Sequence, residues 1–235
     1  MTEWLSLDEL DRLLASVDVF EPLPSQELRA LSKGASLERL GTGEGMTVEP
    51  REHARRVIVL LSGRATVYEP GPRGHGLTLS VAAAGTVVGV VGLSERPRGL
   101  RIGATMPSLV CLVAFEAFEG VVRRNPEVGL RLVRVLGERI GVLETRLAEL
   151  AYGGVKARLA GAILRLVEGE GVMGSQGARL PTRYTHRQLG SMIGANREAV
   201  TRALGKLRRG GIIEVRERRI HVVDLEALRR AARQA

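Results

Sequence analysis

The sequence holds a single cysteine, Cys111, in 235 residues. That scarcity excludes a disulfide framework, a cysteine-ligated zinc site and a four-cysteine iron–sulfur cluster within one chain. The first residues, "MTEWLSLDELDRLL", are acidic and amphipathic, unlike the basic and then apolar pattern of a secretory signal. Long hydrophobic runs are also absent. The most apolar stretch, Leu77 to Leu93, is interrupted by Gly, Ser and Thr and rich in β-branched residues, a pattern of buried strands rather than of a membrane span. No nucleophile–base pair and no metal-spaced cluster stands out. The sequence therefore reads as that of a cytoplasmic protein, not an enzyme, with no metal or cofactor and no membrane partner.

What is present is ordinary in amount but uneven in place. Hydrophobic residues make up 44% and charged residues 26%, enough for a globular chain of one large or two small domains. The formal net charge is +9. Met1 to Gly154 carries 18 Lys and Arg against 19 Asp and Glu, whereas Val155 to Ala235 carries 17 against 7. All the excess positive charge lies in the last third, as in a polyanion-binding module joined to a near-neutral regulatory or oligomerising one.

The first segment, "SLDELDRLLASV", opens with a Ser6–Glu9 capping pattern and places Leu7, Leu10, Leu14 and Val17 on one face of a helix. "PSQELRALSKG" reads as a second helix closed by Gly34. From about Ala35 to Val113, short β-rich runs alternate with Gly and Pro turns, which indicates a compact antiparallel sandwich or barrel. Then Val133, Leu136, Ile140, Leu143, Leu147 and Leu150 follow spacings of 3, 4, 3, 4 and 3. That is a heptad seam, by which two helices bury a continuous stripe, and a parallel homodimer through the 130–150 helix is expected. The intervening Arg139, Glu144, Arg146 and Glu149 suit the other faces to solvent. Gly153-Gly154 gives a break at which the charge changes. The expected domains are 1–124 (helices and β sensor), 125–154 (dimerisation helix and hinge) and 155–235 (nucleic-acid binding).

Within the last module, Thr185 and Gln188 form a second capping pattern before "HRQLGSMI". Gly194 ends that helix and Asn196 is a good N-cap for "REAVTRALGKLRR". A turn of about three residues containing Gly makes this a helix-turn-helix. Counting His186 as position 1, Leu189, Ile193, Ala195, Val200 and Ala203 fall at packing positions 4, 8, 10, 15 and 18. Gly190 falls where the helices cross closely, and Gly194 where the turn favours positive φ. Arg197, Glu198 and Arg202 are left on the outer face, where the N-terminal part of a recognition helix meets base edges. Arg suits guanine and Glu can accept from the cytosine amino group, while Ala199 and Thr201 are small enough for close approach. "IIEVRERRIHVVDLEAL" then reads as a hairpin bearing Arg216, Arg218 and Arg219 near its turn, followed by a short helix: a wing whose arginines contact phosphates.

On these residues, above all "YTHRQLGSMIGANREAVTRALGKLRRGGII", the chain resembles the CRP/FNR family of bacterial transcription regulators. The resemblance covers nearly the whole chain. It implies an α+β fold: an N-terminal β-roll (a cyclic-nucleotide-binding-like jelly roll), a long dimerisation helix and a C-terminal winged helix-turn-helix. It further implies a homodimer that bends a palindromic, TGTGA-like site in double-stranded DNA, with RNA polymerase as a partner. Arg197, Glu198 and Arg202 would read bases, and Thr185, His186, Arg187, Asn196, Thr201 and Lys206 would join the wing arginines in holding phosphates.

The effector pocket of that family would fall on Gly89, Val90, Val91, Arg98, Gly99, Leu143 and Glu144. It departs from the cyclic-nucleotide cassette: Val90 replaces the acidic residue that holds the ribose hydroxyl, and Gly99 replaces the hydroxyl residue at the phosphate. Leu143-Glu144 stands where cAMP-responsive members carry hydroxyl residues. cAMP is therefore not the expected effector, and Arg98 could hold another anion or a salt bridge. Haem is not expected either, since His75 and His53 read as loop residues and Cys111 as a buried strand residue. The rival readings are a regulatory module acting on a protein partner, which leaves the basic module unexplained, and a β-roll enzyme, which lacks clustered polar residues.

Overall fold

The computed structural model describes residues 5–49, 55–70, 76–91, 100–174 and 177–233. Its contacts divide the chain into two compact units, Met1–Tyr68 with Ser80–Ile140, and Glu69–Leu79 with Gly141–Ala235.

In the first unit, helix α1 (Leu7–Ala15) starts with the expected capping box: Ser6 accepts from the Glu9 amide, and the Glu9 carboxylate accepts from the Ser6 amide. Leu10, Leu14 and Val17 are buried, whereas Leu7 is exposed, since the packed stripe begins one turn later than the periodicity alone indicates. Helix α2 (Ser25–Lys33) follows and lies against α1. Arg29 pairs with Asp8 and Asp11 between them.

Eight strands come next: β1 (Ala35–Leu40), β2 (Gly45–Val48), β3 (Arg56–Ser62), β4 (Arg64–Pro70), β5 (Gly76–Ala83), β6 (Thr86–Val91), β7 (Leu100–Ala104) and β8 (Ser108–Ala114). They form two four-stranded sheets, ordered β1-β8-β3-β6 and β2-β7-β4-β5, the double layer of a β-roll. Strand β3 is buried from Val57 to Leu61, so its run "VIVLL" is apolar on both faces. The inward side chains of β3 and β8 meet Leu14, Phe20 and Leu31 in one core. Helix α3 (Phe115–Arg124) closes it with Phe118 and Val121. No local signal announces α3: Ala114 precedes it and no side chain caps it.

The long helix α4 (Pro126–Tyr152) passes from the first unit into the second at Gly141. The six seam residues are between 39% and 68% exposed, although leucine and isoleucine normally lie inside. The expectation for the residues between them is corrected at three positions. Arg139 donates to the carbonyls of Val87 and Val88, and Arg146 donates to those of Thr78 (3.3 Å) and Leu79 (2.6 Å). Glu149 accepts from Arg165 through both carboxylate oxygens, at 2.7 and 3.2 Å. Of the four, only Glu144 keeps to solvent. Long guanidinium side chains satisfy backbone acceptors here, and heptad spacing carries no signal for that.

The second unit continues with α5 (Val155–Glu170), so the break between α4 and α5 falls at Gly153-Gly154. Then come β9 (Val172–Gly174), β10 (Gly177–Arg179), α6 (His186–Ile193), α7 (Arg197–Arg209), β11 (Ile213–Arg216), β12 (Arg219–Val222) and α8 (Leu225–Arg233). The four strands pair as β11-β12-β10-β9, which adds a hairpin in the stretch that the sequence presents only as glycine-rich. Leu159, Ile163, Leu180, Leu189, Val200, Leu207 and Leu228 are fully buried in this unit. Among the described residues, no helix is long and apolar enough to cross a membrane.

Candidate nucleic-acid interface

Three local devices aim α7. At the start of α6, the Thr185 hydroxyl accepts from the Gln188 amide (3.2 Å) and the Gln188 side chain accepts from the Thr185 amide (2.8 Å), the capping box read from the sequence. At its end, Gly194 takes a left-handed conformation, φ 61°, which glycine adopts without steric cost. At Gly190 a Cβ would lie 2.4 Å from the Ala195 carbonyl oxygen, so any side chain there would push the two helices apart. The Asn196 side chain then accepts from the Ala199 amide at 2.8 Å and caps α7.

Burial fixes the rotation of α7. Val200, Ala203, Leu204 and Leu207 face inward, and Ala195 is half-buried at the turn. Arg197, Glu198, Thr201 and Arg202 are exposed on the opposite face, with the small Ala199 among them. Among the described residues, the side chains of Arg197, Glu198 and Arg202 make no hydrogen bond or ion pair within the chain. Three charged groups thus project from the first half of a rigid helix with their hydrogen-bonding capacity unused.

The flanking polar residues differ in how they are held. Thr185, Arg187, Asn196 and Lys206 are exposed, and His186 is half-buried. His186 Nδ1 lies 2.8 Å from the Thr201 hydroxyl, which itself donates to the Arg197 carbonyl at 2.9 Å. With its proton so directed, the hydroxyl accepts from the imidazole, and the α6 N-terminus is tied to the first turn of α7. That tie spans two helices and has no signature in the sequence.

The wing arginines also separate. Arg216 pairs with Glu214 at 2.5 Å. Arg219 points back onto the module, its Nε donating to the Pro181 carbonyl at 3.0 Å and its Nη1 to Glu217 at 3.2 Å. Arg218 is exposed at the tip. Register pairs Arg216 with Arg219, leaving Glu217 and Arg218 as a two-residue turn with φ of 51° and 63°. Both central residues of this turn occupy the left-handed region, where Asn and Gly are the usual occupants.

Of the expected effector residues, Gly89, Val90 and Val91 lie together on β6 of the first unit. Gly89 pairs with Ile58, and a Cβ on it would come within 3.0 Å of Leu100. Val90 packs against the core cluster and Val91 is buried. Leu143 and Glu144 are exposed on α4 in the second unit. Arg98, Gly99, His53 and His75 lie outside the described residues. Cys111 is fully buried, and burial pushes its thiol up to about 12, so it holds no thiolate for a metal or a substrate at neutral pH. Among the described residues no group of three or more His, Cys, Asp or Glu is placed to hold a metal ion.

Comparison with known proteins agrees with this anatomy. Residues 157–231 match the Crp-like helix-turn-helix domain family. A CRP-like cAMP-activated global transcriptional regulator of Mycobacterium tuberculosis is 26% identical over 227 residues, 95% of this chain and 100% of that protein. A global nitrogen regulator of Synechocystis is 29% identical over 182 residues, 76% of this chain and 81% of the relative. Among solved structures, a CRP-family transcriptional regulator of Thermus thermophilus superposes with a TM-score of 0.67 at 26% identity, over 84% of this chain and 97% of that one. Residues 157–231 are thus a Crp-like helix-turn-helix domain, and the chain with its β-roll and long helix is similar over most of its length to transcription regulators of the CRP/FNR type.

Proposed function

We propose that the protein is a homodimeric, sequence-specific DNA-binding regulator that recognises a palindromic, TGTGA-like site. The observation that carries this reading is the outer face of α7, where Arg197, Glu198 and Arg202 are exposed and unpaired beside a small Ala199. Arg197 and Arg202 donate to guanine edges and Glu198 accepts from a cytosine amino group. Thr185, His186, Arg187, Asn196, Thr201, Lys206 and the wing residues Arg216, Arg218 and Arg219 hold phosphates, with Arg218 the most available of the three wing cations. The functional parts are the sensor (1–124), the dimerisation helix and hinge (125–154) and the DNA-binding module (155–235). Covering the apolar seam of α4 with a second copy presents two recognition helices to successive major grooves, as a palindrome requires.

The mycobacterial relative is cAMP-activated by name; this chain responds to something else. A ribose hydroxyl buried against Val90 would lose its partner at a cost of about 1–3 kcal/mol. RNA polymerase is the partner through which bound protein acts on transcription, in the cytoplasm.

The test is a fluorescence-anisotropy titration of the full chain on a TGTGA palindrome and on a scrambled duplex, at several salt concentrations. Preference for the palindrome by at least about a thousandfold is expected. Equal affinity for both duplexes overturns base reading, and no binding even at low salt returns the protein-partner reading to first place.

A further inference from the structure

The second unit contains a cavity of about 260 Å³ that the DNA-binding reading does not use. Its apolar wall consists of Leu77 and Leu79 on β5, Leu143 and Leu147 on α4, and Met192 and Ile193 on α6. The volume lies at the small end for ligand pockets. Two guanidinium groups also line it, those of Arg146 and Arg158.

The polar part is unbalanced. Arg158 is occupied, its Nε donating to the Ile193 carbonyl at 3.0 Å and its Nη1 to the Gly153 carbonyl at 2.6 Å. Arg146 commits one nitrogen to the carbonyls of Thr78 and Leu79, but its Nε is buried with no hydrogen-bond partner among the described residues. The one carboxylate in the lining, Glu149, is already held by Arg165 through both oxygens. Burial, reinforced by the nearby Arg165 charge, lowers the Arg146 pKa, as befits a cation without a counter-charge of its own.

We propose that this cavity binds a small amphiphilic anion, in class a medium-chain carboxylate, with its alkyl body against the leucines and its carboxylate beside the guanidinium groups of Arg146 and Arg158. Apolar walls alone would take any oily molecule; the surplus of positive charge in the lining, two guanidinium groups against one carboxylate already paired with Arg165, selects an anionic head. Leu143 and Leu147 also belong to the α4 seam, so the occupant would adjoin the dimer interface.

Isothermal titration calorimetry of the full chain, without DNA, tests this site separately from DNA recognition. The probes are decanoate, decanol and decyltrimethylammonium, each below its critical micelle concentration. One decanoate per chain is expected, bound at least tenfold more tightly than either control. Arg146→Gln is expected to weaken decanoate at least tenfold, with Arg146→Lys recovering part of the loss. Absence of saturable decanoate binding, equal binding of decanol, or undiminished binding to a folded Arg146→Gln chain overturns the proposal. Should the Gln variant fail to fold, a series from hexanoate to palmitate on the unaltered chain decides. A walled cavity gives affinity that rises and then falls with length, whereas a rise continuing to palmitate overturns it.

Discussion

Helices α4 and α7 both carry an outward face of exposed side chains, and the two faces are opposite in character. That of α4 is a stripe of Val, Leu and Ile, and that of α7 is Arg, Glu, Thr and Arg. Water solvates exposed charge readily, so α7 can remain bare until a ligand arrives. Exposed leucine forfeits about 25 cal/mol for every Å² left in water, so α4 calls for lasting cover. On the proposed function, the difference would separate a permanent interface from a reversible one by side-chain chemistry alone.

The largest effect is expected on α4. Replacing Leu136 and Ile140 together by Glu should weaken dimerisation at least about a thousandfold, since each buried aliphatic side chain contributes roughly 1.5–3 kcal/mol and like charges would then face each other. Sedimentation equilibrium measures this; a dimer that persists at micromolar concentration would remove the distinction between the two faces. Next in size is Arg197→Ala on α7, expected to cost about 1–3 kcal/mol of operator affinity and to relax preference at one base pair of each half-site. Titration against single-pair variants of the operator checks it, and an equal loss on every sequence would reassign Arg197 to phosphate.

A smaller change should come from the scaffold of α7. Asn196→Ala removes the acceptor for the Ala199 amide and should cost about 1 kcal/mol of stability, read from urea unfolding. If stability were unaltered, the rigidity attributed to α7 would have to come from packing alone. Smallest is Arg218→Ala, which should leave base preference intact and reduce the slope of log K against log salt by about 1. The same change at Arg219 should also loosen the wing, because Arg219 bonds the Pro181 carbonyl, and thermal unfolding would register that extra loss.

The geometry of the α7 face was more legible in the sequence than the surroundings of α4. Both capping boxes, the glycine turn and the inward register of Leu189, Ile193 and Val200 are local, and local rules place them. The seam residues were legible by period. The duties of Arg139, Arg146 and Glu149 were not, because a backbone carbonyl on a distant strand, or a guanidinium on the next helix, leaves no mark in the helix that reaches it. Helix α3 escaped for lack of a capping side chain, and the β9–β10 hairpin because three-residue strands among glycines read as turn. Beside α7, the His186–Thr201 tie was hidden for the same reason as the arginine clips: its partners are 15 residues apart.

The wing tip carries one further implication. Glu217 and Arg218 occupy backbone conformations that side chains of their kind resist, each at roughly 1–2 kcal/mol. Asn-Gly would relax the loop but bring no positive charge to its end. Holding a guanidinium at the apex of so tight a bend therefore sets stability against electrostatic reach, and a chain carrying Asn-Gly there would be sturdier and less adhesive to polyanions.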